Sequence, residues 1–292
     1  MYSFTIKDLE NLSGIKAHTI RIWEQRYSFL KPGRSETNIR YYGNRELKQL
    51  LNIALLNKFG YKISHIDKMN EKEIIEKVMS LNQMEAQQER IVNSLIDNMV
   101  EFNTSKFEKL LNDYILSRGI EKTILQIIFP YFEKIGILWL TNHINPAHEH
   151  MVSNIIRQKL VVGIDQVYSS VEINKTFLLF LPESEFHEMG LLFMHFLLKS
   201  RGISVIYLGC SIPLDDVAYV VQVKKPDYIY SHITAPGNKF NFEKFISQLG
   251  TKFQGIPVIL SGQLTKSYQK KIHAPVSFKK SLSEVMEFVS AL

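Results

Sequence analysis

Glu185-Phe186-His187-Glu188-Met189-Gly190 stands where Thr176-Phe177-Leu178-Leu179-Phe180-Leu181, an apolar run of strand length, gives way to residues 191–198, which read as a buried helix. A histidine at such a junction projects from the carboxyl end of a strand. In open α/β sheets that edge is where ligands bind, and a glycine three residues on lets a bulky group approach the backbone. His187 is thereby placed to touch a ligand. Alone, the six residues also fit a plain helix start, with Glu185 a solvated loop acid and Gly190 a packing residue. The surrounding sequence decides between the two.

From residue 175 onward, strand-like and helical runs alternate. Strands are expected at 176–181, 203–207, 227–232, 256–261 and 275–278, with helices between them and after the last. That alternation predicts a five-stranded, doubly wound parallel sheet, Rossmann-like or flavodoxin-like, over 173–292. The strand ends carry the hexapeptide above, Tyr207-Leu208-Gly209-Cys210-Ser211-Ile212-Pro213, Ser231-His232-Ile233-Thr234 and Ser261-Gly262-Gln263. All four fall on one rim and can line one crevice.

Upstream, residues 91–172 carry a helical period: Ile91, Leu95 and Met99; Phe107, Leu110, Leu111 and Tyr114; then 124–139 and 151–167. Four helices with short joints predict an antiparallel bundle, its third helix kinked or restarted at Pro130 and its fourth opened by Asn145-Pro146. The joint between them, 139–150, sets the indole of Trp139 and the polar groups of Glu149 and His150 around one hollow. A core tryptophan, a favourable acid at a helix start and a surface histidine cluster account for the same residues. A zinc site from His143, His148 and His150 is conceivable, although no carboxylate second shell accompanies it. Residues 70–90, polar and charge-rich, read as a linker with one weak helix.

The first 69 residues read as an all-α head with a small β-wing. Thr5 caps a helix that Ser13-Gly14 ends, and a second helix runs from Ala17-His18 to Tyr27, giving a helix-turn-helix. Ile20, Trp23 and Tyr27 share its inner stripe, which leaves His18, Arg21 and Gln25 to face outward, as a major-groove helix requires. The turn-rich stretch 31–42 suits a wing in which Arg34, Arg40 and Tyr41 are candidates for phosphate contacts.

The charge balance fits that head. Residues 1–68 hold 12 Lys and Arg against 6 Asp and Glu, so the whole formal excess of +6 sits in the first quarter, as expected when one module meets a polyanion. The lone cysteine, Cys210, excludes a disulfide within the chain and a multi-thiolate metal site. No apolar run approaches the ~20 residues of a membrane helix and no export signal opens the chain, so a cytoplasmic protein is expected.

Residues 2–69, through Thr19-Ile20-Arg21-Ile22-Trp23-Glu24-Gln25-Arg26-Tyr27 and Arg40-Tyr41-Tyr42, resemble the winged-helix domain of MerR-type regulators. Many such regulators sense metals through cysteines just after this domain, and this chain has none there. The order of the later parts resembles the cobalamin-binding fold, in which a helical bundle caps the corrin and a Glu/Asp-x-His-x-x-Gly loop supplies the lower axial ligand. The whole is similar to the CarH and LitR group of cobalamin-dependent, light-sensing repressors. By that resemblance His187 binds cobalt in place of the cofactor's benzimidazole, Gly190 lies beside the nucleotide tail, and Ser231 falls on a Ser-x-Leu position in which Ile233 replaces leucine. Trp139, Glu149 and His150 match a Trp, nine residues, Glu-His signature that shelters the upper ligand. Glu185 is placed to orient the His187 ring through its other nitrogen.

Two positions depart from the pattern. A Gly-Gly pair reads Ser261-Gly262, which puts a side chain where the tail passes. Leu140 follows Trp139 where light-sensing relatives carry a histidine that takes the upper cobalt position after photolysis. The resemblance implies a repressor, not an enzyme, that binds double-stranded operator DNA as a homodimer or homotetramer under control of adenosylcobalamin or methylcobalamin. The alternatives are a MerR-type regulator whose last domain senses another ligand or a partner protein, and a corrinoid carrier for methyl transfer. The last leaves the arginine-rich head unexplained.

Overall fold

The computed structural model describes residues 3–140 and 145–292, without the side chains of residues 137–140. The chain forms two compact units, Met1–Ile156 and Arg157–Leu292.

In the first unit, helix α1 (Ile6–Ser13) opens on a capping box: Thr5 Oγ1 accepts from the Asp8 backbone N–H at 3.3 Å, and the Asp8 carboxylate accepts from the Thr5 N–H at 2.7 Å. Gly14, at φ 73°, ends it in the left-handed conformation that glycine adopts without strain, and α2 (Ala17–Arg26) follows. Strands β1 (Gly33–Arg34) and β2 (Arg40–Tyr41) pair antiparallel as the wing, and a bridge between Phe4 and Tyr42 ties the wing to the start of the chain. This pair is the small wing expected within the turn-rich stretch 31–42. Helices α3 (Asn44–Lys58) and α4 (Ile63–Ile66) complete it.

Within 70–90, read as a linker with one weak helix, helix α5 (Glu71–Met79) buries Ile74 and Val78 and packs on α3, and α6 (Met84–Val100) begins before residue 90. Only one face of α5 is apolar, so its polar majority reads as a linker until α3 covers that face. Helices α7 (Thr104–Arg118), α8 (Ile120–Thr123), α9 (Phe129–Leu140) and α10 (Pro146–Gln166) follow. Between α8 and α9 lies one π-helical segment, Ile124–Ile128, in which the Phe129 N–H donates five residues back to the Ile124 carbonyl. Pro130 brings no N–H, and the wider turn just before it lets the helix continue rather than break. Lys48 pairs with Asp97 at 2.9 Å and Lys58 with Glu89 at 2.6 Å, joining α3 to α6; Lys134 of α9 reaches the same Glu89 at 3.5 Å.

The second unit begins inside α10. Strands β3 (Ile173–Pro182), β4 (Ile203–Ile212), β5 (Tyr228–His232), β6 (Val258–Ser261) and β7 (Val276–Lys279) form one parallel sheet in the order β4-β3-β5-β6-β7. Helices α11 (Met189–Ser200), α12 (Leu214–Lys224), α13 (Phe242–Lys252), α14 (Gln263–Ser267) and α15 (Leu282–Ser290) connect or follow them. Phe177 to Leu181 are wholly buried, as a strand covered on both faces must be. Leu178, Phe180, Ile229, Val258 and Leu260 pack with Val217, Phe245 and Leu249 of α12 and α13.

Strand β4 runs on to Ile212, so residues 208–212, expected beyond a strand that ended at 207, lie within the sheet. The register slips beside Leu208, with Leu179 opposite Tyr207 and Phe180 opposite Gly209, and Gly209 takes φ 88°. A bulge at a glycine carries the strand past the point where its apolar pattern stops. Phe180→Ala is expected to lower the stability of the second unit by about 3–5 kcal/mol, measured as a shift of its urea transition. A shift worth under about 1 kcal/mol would show that β3 is not its core strand.

Candidate functional sites

The order in which the chain adds strands reverses between β3 and β5, since it winds from β3 outward to β4 and then returns to the other side of β3. The carboxyl ends of β3 and β5 therefore flank the topological switch point, where open α/β sheets hold their ligands. His187 stands on the loop leaving β3, its side chain 52% exposed. Glu185, two residues earlier, is fully buried and bonded at both oxygens. Oε1 accepts from the His187 backbone N–H at 2.9 Å and meets His187 Nδ1 at 2.6 Å; Oε2 accepts from the backbone N–H groups of Thr234 and Ala235, each at 2.8 Å. One carboxylate thus fixes the imidazole and fastens its loop to the loop after β5. Burial drives the Glu185 pKa up, but the hydrogen bonds from His187 and from the backbone outweigh it and hold the carboxyl below its ordinary 4.5.

Around this loop the switch point is tightly built. A β-carbon on Gly190 would lie 2.4 Å from the His232 ring, so the group that approaches the Gly190 backbone here is an imidazole of the chain itself. His232 Nδ1 lies 2.8 Å from Ser261 Oγ, which in turn lies 2.5 Å from the Tyr230 hydroxyl. Burial lowers the His232 pKa to about 4 and keeps the ring neutral near pH 7. The Ser261 hydroxyl, expected to intrude on the crevice, is buried and held by these two rings. Ser231 is wholly buried, and its hydroxyl has no hydrogen-bond partner. Gly262, at φ 97°, lets the turn after β6 press on Ile233, whose carbonyl oxygen would stand 2.4 Å from a β-carbon there.

The acid after His187 faces another set. Glu188 pairs with Arg157 of α10 and accepts from the Tyr207 hydroxyl at 3.0 Å; Cys210 Sγ lies 3.4 Å away. Burial and then the charge of Glu188 push the Cys210 thiol up to about 12, which keeps it protonated.

On α10, Glu149 accepts from the Ser153 hydroxyl at 2.6 Å and meets His150 Nδ1 at 3.0 Å, with the His150 side chain 72% exposed. Trp139 and Leu140 end α9, but their side chains, like all of His143, lie outside the described residues. His148 is buried against Phe102, with ring centroids 3.9 Å apart and the ring planes tilted by 30°. Among the described residues no group of three His, Cys, Asp or Glu is arranged to hold a metal ion, and the conceived zinc site includes His143, which lies outside them.

In the head, His18, Arg21 and Gln25 are exposed on α2 while Ile20 and Trp23 are buried beneath. On the wing, Arg34 donates to Asn38 Oδ1 at 2.7 Å, and the Tyr41 ring lies over Gly33, where it would stand 2.3 Å from a β-carbon. Arg40, read as a phosphate contact, is drawn inward to Glu24 at 3.1 Å, and the same carboxylate accepts from the buried Tyr42 hydroxyl. Arg40 therefore braces the wing against α2. Glu24 lies on the helix face toward the wing, a relation that spacing along α2 alone does not reveal.

Residues 4–73 match the MerR HTH family regulatory protein model, and residues 91–162 match the B12 binding domain model. The chain joins a MerR-type DNA-binding region to a B12-binding domain. This regulator is 25% identical over 275 residues to the HTH-type transcriptional repressor CarH of Myxococcus xanthus, covering 91% of each chain. It is 26% identical over 276 residues to the repressor CarA of the same organism, covering 91% of this chain and 89% of the relative. Both relatives are transcriptional repressors. The fold is shared with the monomethylamine corrinoid protein of Methanosarcina barkeri, with a TM-score of 0.54 at 14% identity over 70% of this chain and all of that one. No helix among the described residues is long and apolar enough to cross a membrane.

The B12-binding regulator carries residues that fit the cofactor. An exposed imidazole whose Nδ1 is held by a carboxylate offers Nε2 as a metal ligand, and an orphaned buried hydroxyl at Ser231 suits a polar group from outside the chain. Glu185→Gln is expected to cost about 1–3 kcal/mol at pH 7, because the amide cannot accept all the hydrogen bonds that the carboxylate takes. With a folded pKa below 4.5, the carboxylate's contribution is complete above about pH 4.5 and is lost as pH falls through the folded value. Wild type should therefore lose more stability than the variant on acidification below pH 4.5, followed by urea titrations at several pH values; parallel losses would contradict the assignment.

Proposed function

We propose that this regulator is a repressor whose assembly and operator binding are set by adenosylcobalamin and reversed by light. The observation that carries the reading is the His187 imidazole, half exposed at the switch point and fixed by a carboxylate buried beneath it. In this reading Nε2 of His187 takes the lower face of cobalt, Glu185 fixes the ring's tautomer and raises its basicity, and Glu149 and His150 serve the upper face together with Trp139. Bound adenosylcobalamin supplies a cobalt–carbon bond that light can break. Methylcobalamin suits the same ligand set. Leu140 brings no donor for the upper face after illumination, which separates this chain from relatives with a histidine there.

The head and the helical bundle share one packed unit, through Lys58, Glu89 and Lys134, so strain in the bundle has a short route to α3. A ligand shifts assembly only if it binds the assembled state more tightly, and linked heads then gain affinity through effective concentration. His18, Arg21 and Gln25 supply the groove contacts, with Arg34 and Tyr41 on the flanking phosphates; Arg40 supports them from behind. The domain bounds of the reading are 1–69, 91–172 and 173–292, with 70–90 a linker that carries helix α5.

Purification with adenosylcobalamin in darkness, followed by sizing and operator titration before and after green light, tests the reading. A larger dark species with higher operator affinity is expected. The same size and affinity with cofactor, without it and after light would remove it. His187→Ala is expected to weaken cobalamin retention by about tenfold or more, as loss of a metal's supporting groups does, and to change the visible spectrum of what remains. Arg21→Ala should lower operator affinity and reduce the slope of log affinity against log salt by about 1. An unaltered titration would place Arg21 outside the interface.

A further inference from the structure

We propose that His232 and Ser261 form a latch over the space that the cofactor's displaced base must enter, so that this chain discriminates corrinoids by their nucleotide tail. The proposal rests on the cobalamin reading of the same site. Cobalamin's tail ends in a flat benzimidazole that occupies the lower face of cobalt. If His187 took that face, the base would leave it, and the resemblance that sets Gly190 beside the nucleotide tail would bring the tail to the loop that carries His187. Three residues beyond His187 the chain offers the bare backbone of Gly190, and the room there is taken by the His232 ring, 2.4 Å from where a β-carbon would stand.

That ring is anchored. Its Nδ1 meets Ser261 Oγ at 2.8 Å, and Tyr230 holds Ser261 from the other side at 2.5 Å. One residue before His232, the Ser231 hydroxyl is buried with no partner, a polar atom without a mate inside the chain. Ser261 is the residue that breaks the Gly-Gly pattern, and what it does here is hold an imidazole against Gly190. A tailed corrinoid can seat its base only by swinging His232 off Gly190 and breaking the bond to Ser261. A tailless corrinoid meets no such cost.

The test is titration of the full-length protein, followed by absorbance, with hydroxocobalamin and with aquacobinamide, which lacks the nucleotide tail. Wild type, His232→Ala and Ser261→Gly are compared. His232→Ala should bind hydroxocobalamin about tenfold more tightly, the worth of one anchoring hydrogen bond, with cobinamide affinity changed less than about twofold. Ser261→Gly, which keeps His232 but frees it, should move the ratio of the two affinities the same way and stands in should His232→Ala fail to fold. A ratio that stays constant or moves toward cobinamide overturns the latch while leaving the cobalamin site intact. Failure of every protein to bind either corrinoid overturns both the latch and the reading beneath it.

Discussion

The second unit turns on the carboxylate of Glu185. A wholly buried carboxylate is costly unless its lone pairs are engaged, and here two backbone N–H groups from the loop after β5, one from its own loop and one imidazole nitrogen engage it. The loops after β3 and β5 lie on either side of the switch point, and apart from the Gly237 N–H donating to the Ser184 carbonyl at 3.1 Å the carboxylate is what ties them. The charge does what a ladder of hydrogen bonds does within the sheet. It also engages Nδ1 of His187 and so sets how the ring stands at the rim, and the chemistry of the rim follows from a group that solvent never reaches.

Acidic side chains play the same part in the first unit. Glu24 gathers Arg40 and Tyr42 and thereby seats the wing on α2; Glu89 receives Lys58 from the head and Lys134 from the bundle. The two regions that match separate family models are packed as one unit by such pairs and by the apolar face of α5. A basic surface for DNA and a bundle for a cofactor are thus not beads on a string. A change in one has packed side chains, rather than a slack tether, through which to reach the other.

Much of this architecture is legible in the chain. The helix-turn-helix shows because Thr5, Gly14 and the stripe of Ile20 and Trp23 are local signals, and the parallel sheet shows because its apolar runs alternate with helical periods. The site was legible only at His187 and its neighbours, through a motif within six residues. The partners of Glu185 at Thr234 and Ala235 lie some fifty positions away and are backbone groups, which no side-chain pattern advertises. Arg40 shows the converse: its charge is visible in the chain, but not the Glu24 carboxylate with which it pairs.

The sequence by itself determined the order of the parts, the basic head, the strand count and the imidazole at the end of β3, because each is written in neighbouring residues or in a short period. Only the tertiary structure decided that α5 is packed rather than slack, that β4 carries its rim residues into the sheet, and that the space beside Gly190 belongs to His232. Those outcomes depend on which distant groups meet. A buried polar group or a bare glycine backbone takes its meaning from the atom brought against it, and folding, not spacing, selects that atom.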